Sequence, residues 1–378
     1  MSINWVKLSN VALTSSGGTP QRGNNKYYGG STAWIKSGEL PDGEIASFEE
    51  TITEEGLQFS SAKLLPTGTL LMAMYGATVG RLGILTFPAA TNQAVCAIIP
   101  STSLDQKYLF YWLLNIRKSL INASFGGAQP NISQSVIQNI AIPLPRLETQ
   151  RQIASKLKSQ LAEVETARKA LATQQQEIVN LSHAYIRASI EQSDTSEFRL
   201  GDVLDEVKKG IGENWADYPV LGATRDGLAP AREPPGKQPQ RYKPVFAGTV
   251  FYNPMRILIG SIAYVDDNDQ PGITSPDYVA LQGKAGKVDS RWFYYWLRSP
   301  YGVQCINSLA RGAVRERMLF NRLAEGAIRL PPYREQLRVS KALAQLQPLK
   351  AAVQRQLDDL NKIPERLLAL AFNPGAKE

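Results

Sequence analysis

"IPLPRLETQRQIASKL", residues 142–157, and "IRLPPYREQLRVSKAL", residues 328–343, are two versions of one phrase set 186 residues apart. Ile142, Leu144, Pro145, Gln150 and Leu157 fall on Ile328, Leu330, Pro331, Gln336 and Leu343. In each, a short apolar run closes on Leu-Pro and a helix begins, so the phrase marks the point where a globular unit hands over to a helix. Working outward, "VKLSNV" from Val6 resembles "FRLGDV" from Phe198, and "GTLLMAMYGATVG" from Gly68 aligns without a gap to "GTVFYNPMRILIG" from Gly248. "TNQAVCAI" from Thr91 sits over "TSPDYVAL" from Thr274, and "YLFYWL" from Tyr108 over "WFYYWL" from Trp292. The order never changes, so the chain is an internal repeat. The expected domains are 1–145 and 197–330, each followed by a long helix, 146–196 and 331–378.

Within each globular unit, β-branched runs such as "AVCAIIP" and "GTVFY" are punctuated by Gly, Pro and Asn and read as strands. The aromatic run "KYLFYWLLNIRKSL" is apolar all round and reads as a buried helix. The fold class is therefore α+β. "AREPPGKQPQRYKP", Ala231–Pro244, is expected to be an extended exposed loop with no counterpart in the first half.

Both long helices carry a heptad seam: Leu157, Val164, Leu171, Ile178 and Tyr185 in the first, Val339, Leu346, Val353, Leu360 and Leu367 in the second. A second seam runs Gln160, Ala167, Gln174, Leu181, Ala188, and Ala342, Leu349, Gln356, Ile363, Leu370. It places Gln174 and Gln356 at matching core sites, where a polar group would set register. Pro348 and Pro364 are expected to kink the second helix or split it. The seams call for each helix to cover the other as an antiparallel coiled coil with pseudo-twofold symmetry. About 45 residues of helix would span roughly 65 Å.

The 378 residues are 43% hydrophobic and 20% charged, enough apolar material for two cores. No apolar run approaches the roughly 20 residues that span a bilayer, and "MSINWVKLSN" lacks a signal-peptide layout, so no membrane partner and a cytoplasmic location are expected. Two cysteines, Cys96 and Cys305, are too few for a disulfide framework. The formal charge is +8, with 16 basic against 14 acidic residues in 1–196 and 26 against 20 in 197–378. A basic balance of this kind suits an acidic partner, of which nucleic acid is the commonest. Two similar but unequal units suit a DNA target with two half-sites of different sequence.

These elements resemble the specificity subunits of Type I restriction-modification systems. The most specific are "GGTPQRGNNKYYGGSTAWIKSGEL" from Gly17, the IxLPxxxxQ helix start, and "LSHAYIRASI" with "IPERLLALAF" at the helix ends. The resemblance implies two target-recognition domains carried on antiparallel helices that dock DNA methyltransferase subunits and a restriction translocase. It implies recognition of a split sequence in double-stranded DNA whose adenines a partner methylates. S-adenosylmethionine and ATP with magnesium would then belong to the partners, and this chain would be non-catalytic with no cofactor or metal of its own. The second unit departs from the pattern, having no counterpart of "GGTP".

Three motifs carry rival readings. "NPMR", 253–256, resembles the loop that clamps a flipped adenine in methyltransferases but lacks the second proline and the aromatic, so a scaffold role is favoured. "PDYVALQGK" from Pro276 has Gln282 where a nuclease would place an acid, and reads as a plain strand. The single histidine, His183, lies between seam positions on the first helix, where solvation or packing is favoured over catalysis. A self-sufficient methyltransferase or nuclease, a protein-gripping adaptor, and a related restriction system with a fused methyltransferase-nuclease partner remain the alternatives.

Long polar side chains on loops are the natural readers of base edges. In the first unit these are Gln21, Arg22, Asn24, Asn25, Lys26 and Lys36, with Gln129 and Asn131 in "GGAQPNIS". In the second, "RGAVRER" offers Arg311, Arg315 and Arg317, and Arg225, Arg232, Lys237, Arg241, Lys243 and Arg256 are further candidates.

Overall fold

A computed structural model describes residues 4–123, 131–310 and 317–372. They form two compact units, one of residues up to 169 with those from 358 onward, the other of residues 170–357. Each long helix is therefore shared covalently between the units.

The sheet of the first unit runs Ala12–Ser16, Val95–Pro100, Leu70–Ala73, Leu82–Leu85 and Gly43–Ile45. That of the second runs Leu204–Glu206, Val279–Gly283, Val250–Tyr252 and Ile262–Tyr264. Leu70 lies opposite Ile84 and Ile98, and Val250 opposite Tyr264 and Leu281, so the gapless alignment of the two glycine-led stretches holds in strand register. Successive strand residues face opposite ways. Leu70, Met72, Leu82, Ile84, Cys96 and Ile98 enter the core under the aromatic helix, while Leu71, Ala73, Leu85, Val95 and Ala97 build a separate core on the other face. The second sheet divides the same way, Val250, Tyr252 and Ile262 against Phe251, Ala263 and Ala280. Burial on both faces is why these strands read as unbroken apolar runs.

The aromatic helices are Gln106–Ala123 and Ser290–Arg298. Asp105 Oδ1 accepts from the Tyr108 N–H at 3.0 Å and Asp289 Oδ1 from Trp292 at 2.9 Å, an N-cap in each half. The second helix stops at Arg298 because Ser-Pro follows, and Pro300 opens a new helix, Pro300–Leu309.

The repeated phrase has a mechanical meaning that spacing alone did not reveal. Gln150 is fully buried; its Nε2 donates to the Ser103 and Pro145 carbonyls at 3.0 and 2.8 Å, and its Oε1 accepts from the Asp105 N–H at 2.8 Å. Gln336, equally buried, donates to Lys287 and Pro331 at 3.1 and 2.9 Å and accepts from Asp289 at 2.9 Å. One amide thus ties the start of the aromatic helix to the start of the long helix in both halves. Just upstream, Trp5–Lys7 pairs with Ala141–Pro143 and Ser196–Arg199 with Ala327–Leu330, Val6 facing Ile142 and Phe198 facing Ile328.

The first long helix is Leu147–Glu191. The distal helix is split into Tyr333–Ala344 and Leu346–Phe372, as its prolines required. Pro348 falls in the first turn of the second piece, where a missing N–H has no intrahelical partner to lose. Pro364 lies inside it, leaving the Leu360 carbonyl without its usual donor. Arg168 Nη2 reaches that carbonyl at 3.4 Å. Within the first unit Leu157 and Leu161 share a core with Leu367, Leu368 and Phe372, and within the second Ile178 and Tyr185 share one with Val339 and Leu346. In each unit residue numbers rise along one helix as they fall along the other, so the packing is antiparallel.

The first seam is buried or half-buried: Leu157, Val164, Val339, Leu346 and Val353 are inside, and Leu171, Ile178, Tyr185, Leu360 and Leu367 half-covered. The second seam is corrected. Gln174 and Gln356 are exposed, as are Leu181, Leu349 and Leu370. The cross-helix glutamine pair is instead Gln175 with Gln354, Nε2 to Oε1 at 3.3 Å. A side-chain amide keeps its hydration at low cost on the outer face, whereas a buried pair must satisfy every donor. The Pro-rich stretch is also more ordered than expected: Pro239–Arg241 is a 3₁₀ turn and Lys243–Val245 a strand paired with Gly272–Thr274.

If Arg168 serves as the substitute donor, Pro364→Ala should raise stability by about 1 to 3 kcal/mol through the restored helical bond. Arg168→Ala should cost about 1 kcal/mol in the parent and almost nothing in the Pro364→Ala background. Equal costs in both backgrounds, measured by urea unfolding, would show that Arg168 does not act through this carbonyl.

Candidate nucleic-acid interface

In the first unit Gly17 and Gly18 thread a passage too narrow for any side chain. A Cβ on Gly17 would lie 2.3 Å from the Thr91 oxygens, and one on Gly18 2.2 Å from the Ala62 nitrogen. Trp34 Nε1 donates to the Gly18 carbonyl at 3.0 Å and the Tyr28 hydroxyl to that of Pro20 at 2.6 Å. So anchored, the chain turns at Gln21–Asn24 and enters the 3₁₀ turn Asn25–Tyr27, exposing Gln21, Arg22, Asn25 and Lys26. Asn24 is half-buried and caps that turn through its side chain.

Arg22 and Lys36 converge on one carboxylate. Arg22 Nη1 lies 2.7 Å from Glu50, and Lys36 Nζ 2.9 Å from Glu50 and 2.7 Å from Glu49. Hydrogen bonds from both cations hold the Glu50 carboxyl below its ordinary pKa. The guanidinium also stands over the Trp34 and Tyr28 rings, at 4.8 and 5.0 Å. Arg22 is thus oriented with part of its donor edge occupied, and the wholly uncommitted polar ends of this loop are those of its neighbours.

Asn131 bridges to Tyr75, and the Ile132 N–H donates to the Met74 carbonyl at 2.7 Å. The second unit repeats this bond at its own offset, the Met318 N–H donating to the Pro254 carbonyl at 3.0 Å, so that Arg317 precedes Met318 as Asn131 precedes Ile132. Arg317 pairs with Asp277 at 3.0 Å, Asn253 Nδ2 reaches the Tyr278 hydroxyl at 3.5 Å, and Lys243 Nζ donates to the Tyr278 carbonyl at 2.7 Å. Lys243 is largely buried, and burial lowers its pKa against the pull of Glu206, so this lysine braces the strand from within. Arg256, Met255, Leu258 and Ile259 are exposed on the loop above.

Arg225 Nε donates to the Ile259 carbonyl at 3.1 Å and stands at the edge of the same loop. Arg232, Lys237 and Arg241 are exposed, and Arg241 Nη1 donates to Gln238 at 2.9 Å. Gln129, Arg311 and Arg315 lie outside the described residues. Tyr75 is not among the sequence candidates, and Met255, Asp277 and Tyr278 enter there only within the rival motifs "NPMR" and "PDYVALQGK".

The rival motifs take structural places. Asn253 Oδ1 accepts from the Met255 N–H at 2.9 Å and closes a turn, Asp277 pairs with Arg317, and Gln282 Nε2 donates to Thr249 at 3.2 Å. Among the described residues no helix is long and apolar enough to cross a membrane.

The arrangement defines a class: a chain that carries two copies of one α+β scaffold with unlike loops, each followed by a long helix. Residues 3–174 match the family described as the Type I restriction modification DNA specificity domain. The chain is similar to the type I restriction enzyme MjaIX specificity subunit of Methanocaldococcus jannaschii, 31% identical over 156 residues, 40% of this chain and 36% of that one. It is also similar to the EcoBI specificity subunit of Escherichia coli, 24% identical over 326 residues that cover 75% of this chain and 69% of the relative. The MjaIX match thus spans about a third of that relative's length. A solved chain from work on complex assembly and conformational transition of the type I R-M system shares the fold, with a TM-score of 0.68 at 19% identity over 98% of this chain and 99% of that one.

Proposed function

We propose that this chain is the non-catalytic DNA-specificity subunit of a Type I restriction-modification complex, with one half-site read by each α+β domain. The observation that carries the reading is a scaffold kept in strand register across both halves while the residues on its loops differ: Asn131 beside Tyr75 in one, Arg317 paired with Asp277 in the other. Repetition of a frame with substitution of its tips is what recognition of an asymmetric bipartite site requires.

In this reading the loop Gln21–Lys26 with Lys36 and Asn131 faces the first half-site of a DNA duplex, and Arg256 and Arg317 face the second, with Arg225, Arg232, Lys237 and Arg241 as flanking phosphate contacts. Methyltransferase subunits and a restriction translocase supply the chemistry, together with their S-adenosylmethionine, ATP and magnesium. The exposed apolar side chains of Leu181 and Leu349 in the second unit, and separately of Leu370 in the first, offer them docking points on the long helices.

Replacing residues 1–145 by the corresponding domain of a relative should change one half of the methylated sequence and leave the other intact. Sequencing of modified bases from cells that express the swapped chain with its methyltransferase reads the result. A change in both halves would defeat independent recognition. Methyl transfer or cleavage by the purified chain alone would defeat the non-catalytic assignment.

A further inference from the structure

A second charged site lies behind the loops that carry Arg225 and Arg256 and is tied to their backbone. Within the second unit a cavity of about 160 Å³ is lined by His183 of the first long helix, Tyr295 and Arg298 of the aromatic helix, and Gln347 and Lys350 of the distal helix. A single water needs roughly 10–15 Å³ on this scale, so the space admits a polyatomic ion. Neither Arg298 nor Lys350 forms an ion pair between described residues. Arg298 donates to the carbonyls of Gly260 and Ile262 at 3.2 and 2.9 Å and to that of Arg225, which orients the guanidinium and leaves its charge uncompensated. Lys350 Nζ donates to the Asp226 carbonyl at 2.6 Å, and two of its three N–H groups remain. Gln347 Nε2 is turned to the Tyr295 hydroxyl at 3.1 Å.

We propose that this cavity is an oxyanion site for a phosphate-sized ligand, with Lys350 and His183 as direct donors and Arg298 as a fixed positive charge behind them. Two half-buried cations facing one cavity whose walls also include Ile178, Val179 and Leu346, with no carboxylate in its lining, are a costly arrangement unless an anion shares it. The strain is legible in the groups themselves: burial, reinforced by the Arg298 charge, lowers the Lys350 pKa and also that of His183, the latter offset in part by the Arg298 backbone. Asp226 opposes the shift at Lys350 through its charge while offering a backbone carbonyl as its bond. The site is not a by-product of the repeated frame. The first-half equivalent of Arg298 is Leu114, so the first domain holds no such charge.

His183 is the only histidine in the chain, which makes its imidazole a unique reporter. In the full-length protein labelled at histidine, its NMR titration midpoint should rise by about one pH unit or more when inorganic phosphate replaces chloride at equal ionic strength. The rise should be lost in Lys350→Gln, return in Lys350→Arg, and persist in Lys158→Gln, which alters an exposed lysine elsewhere on the helix. No rise with phosphate would overturn the proposal. A rise undiminished in Lys350→Gln, an adventitious ion only, would overturn it equally.

Discussion

Gln336→Ala is expected to lower the melting temperature by about 6 to 12 °C, with Gln150→Ala close behind. Each substitution removes three hydrogen bonds from a fully buried amide and leaves a backbone N–H and two carbonyls, part-buried or buried, without that partner. Leaving buried polar groups unsatisfied costs about 1–3 kcal/mol each, and partial relaxation should bring the total near 3 kcal/mol. For a unit of this size each kcal/mol moves the midpoint by roughly 2–4 °C. Gln345→Ala, at an exposed position between the two distal pieces, is the control and should stay within about 0.5 kcal/mol. A differential scanning trace of Gln336→Ala within a degree of the parent would mean that the amide does not hold the two helices together.

That clamp shows how far the sequence could be read. The repeat was legible because both copies keep the residues that satisfy buried backbone groups, and such groups tolerate few substitutes. Strand register followed from the glycine-led alignment, since a slip by one residue would turn Leu70 and Val250 to the wrong face. The role of the glutamine was not legible, because its three partners lie five to 49 residues away in the chain and only the fold gathers them.

The helix faces divided differently. A heptad pattern identifies apolar periodicity but not how fully each of two adjacent stripes is covered: the positions through Leu157 and Val339 are buried or half-buried, whereas in the second stripe Gln174, Gln356, Leu181, Leu349 and Leu370 are exposed and the rest half-buried. Loop readers were the least legible. Charge on a Gly- and Pro-rich segment does not say whether a neighbour will neutralise it: Arg22 and Lys36 share Glu50, and Lys243 is drawn inside by Tyr278 and Glu206. Exposed tips such as Lys26 and Arg256 keep the freedom that a contact with DNA uses.

Gly18→Ala separates the frame of the first domain from its tips. The new Cβ would sit 2.2 Å from the Ala62 nitrogen and 2.5 Å from the Ser61 carbonyl carbon, both backbone, so the segment carrying Gly18 must move outward. Overpacking of this kind costs about 1–3 kcal/mol. The displacement also disturbs the Gly18 bonds to Trp34 and Thr91, and with them the turn that presents Gln21 to Lys26. On the proposed function, discrimination at the first half-site should fall on the order of tenfold to a hundredfold, the value of one well-read base pair. The second half-site should be unaffected, and Gly38→Ala, whose Cβ meets nothing within 4 Å, should leave both as they were. Competition binding of the assembled complex, with duplexes altered in one half-site at a time, separates the cases: loss of discrimination at both half-sites, or at neither, would break the link between this glycine passage and the first reader.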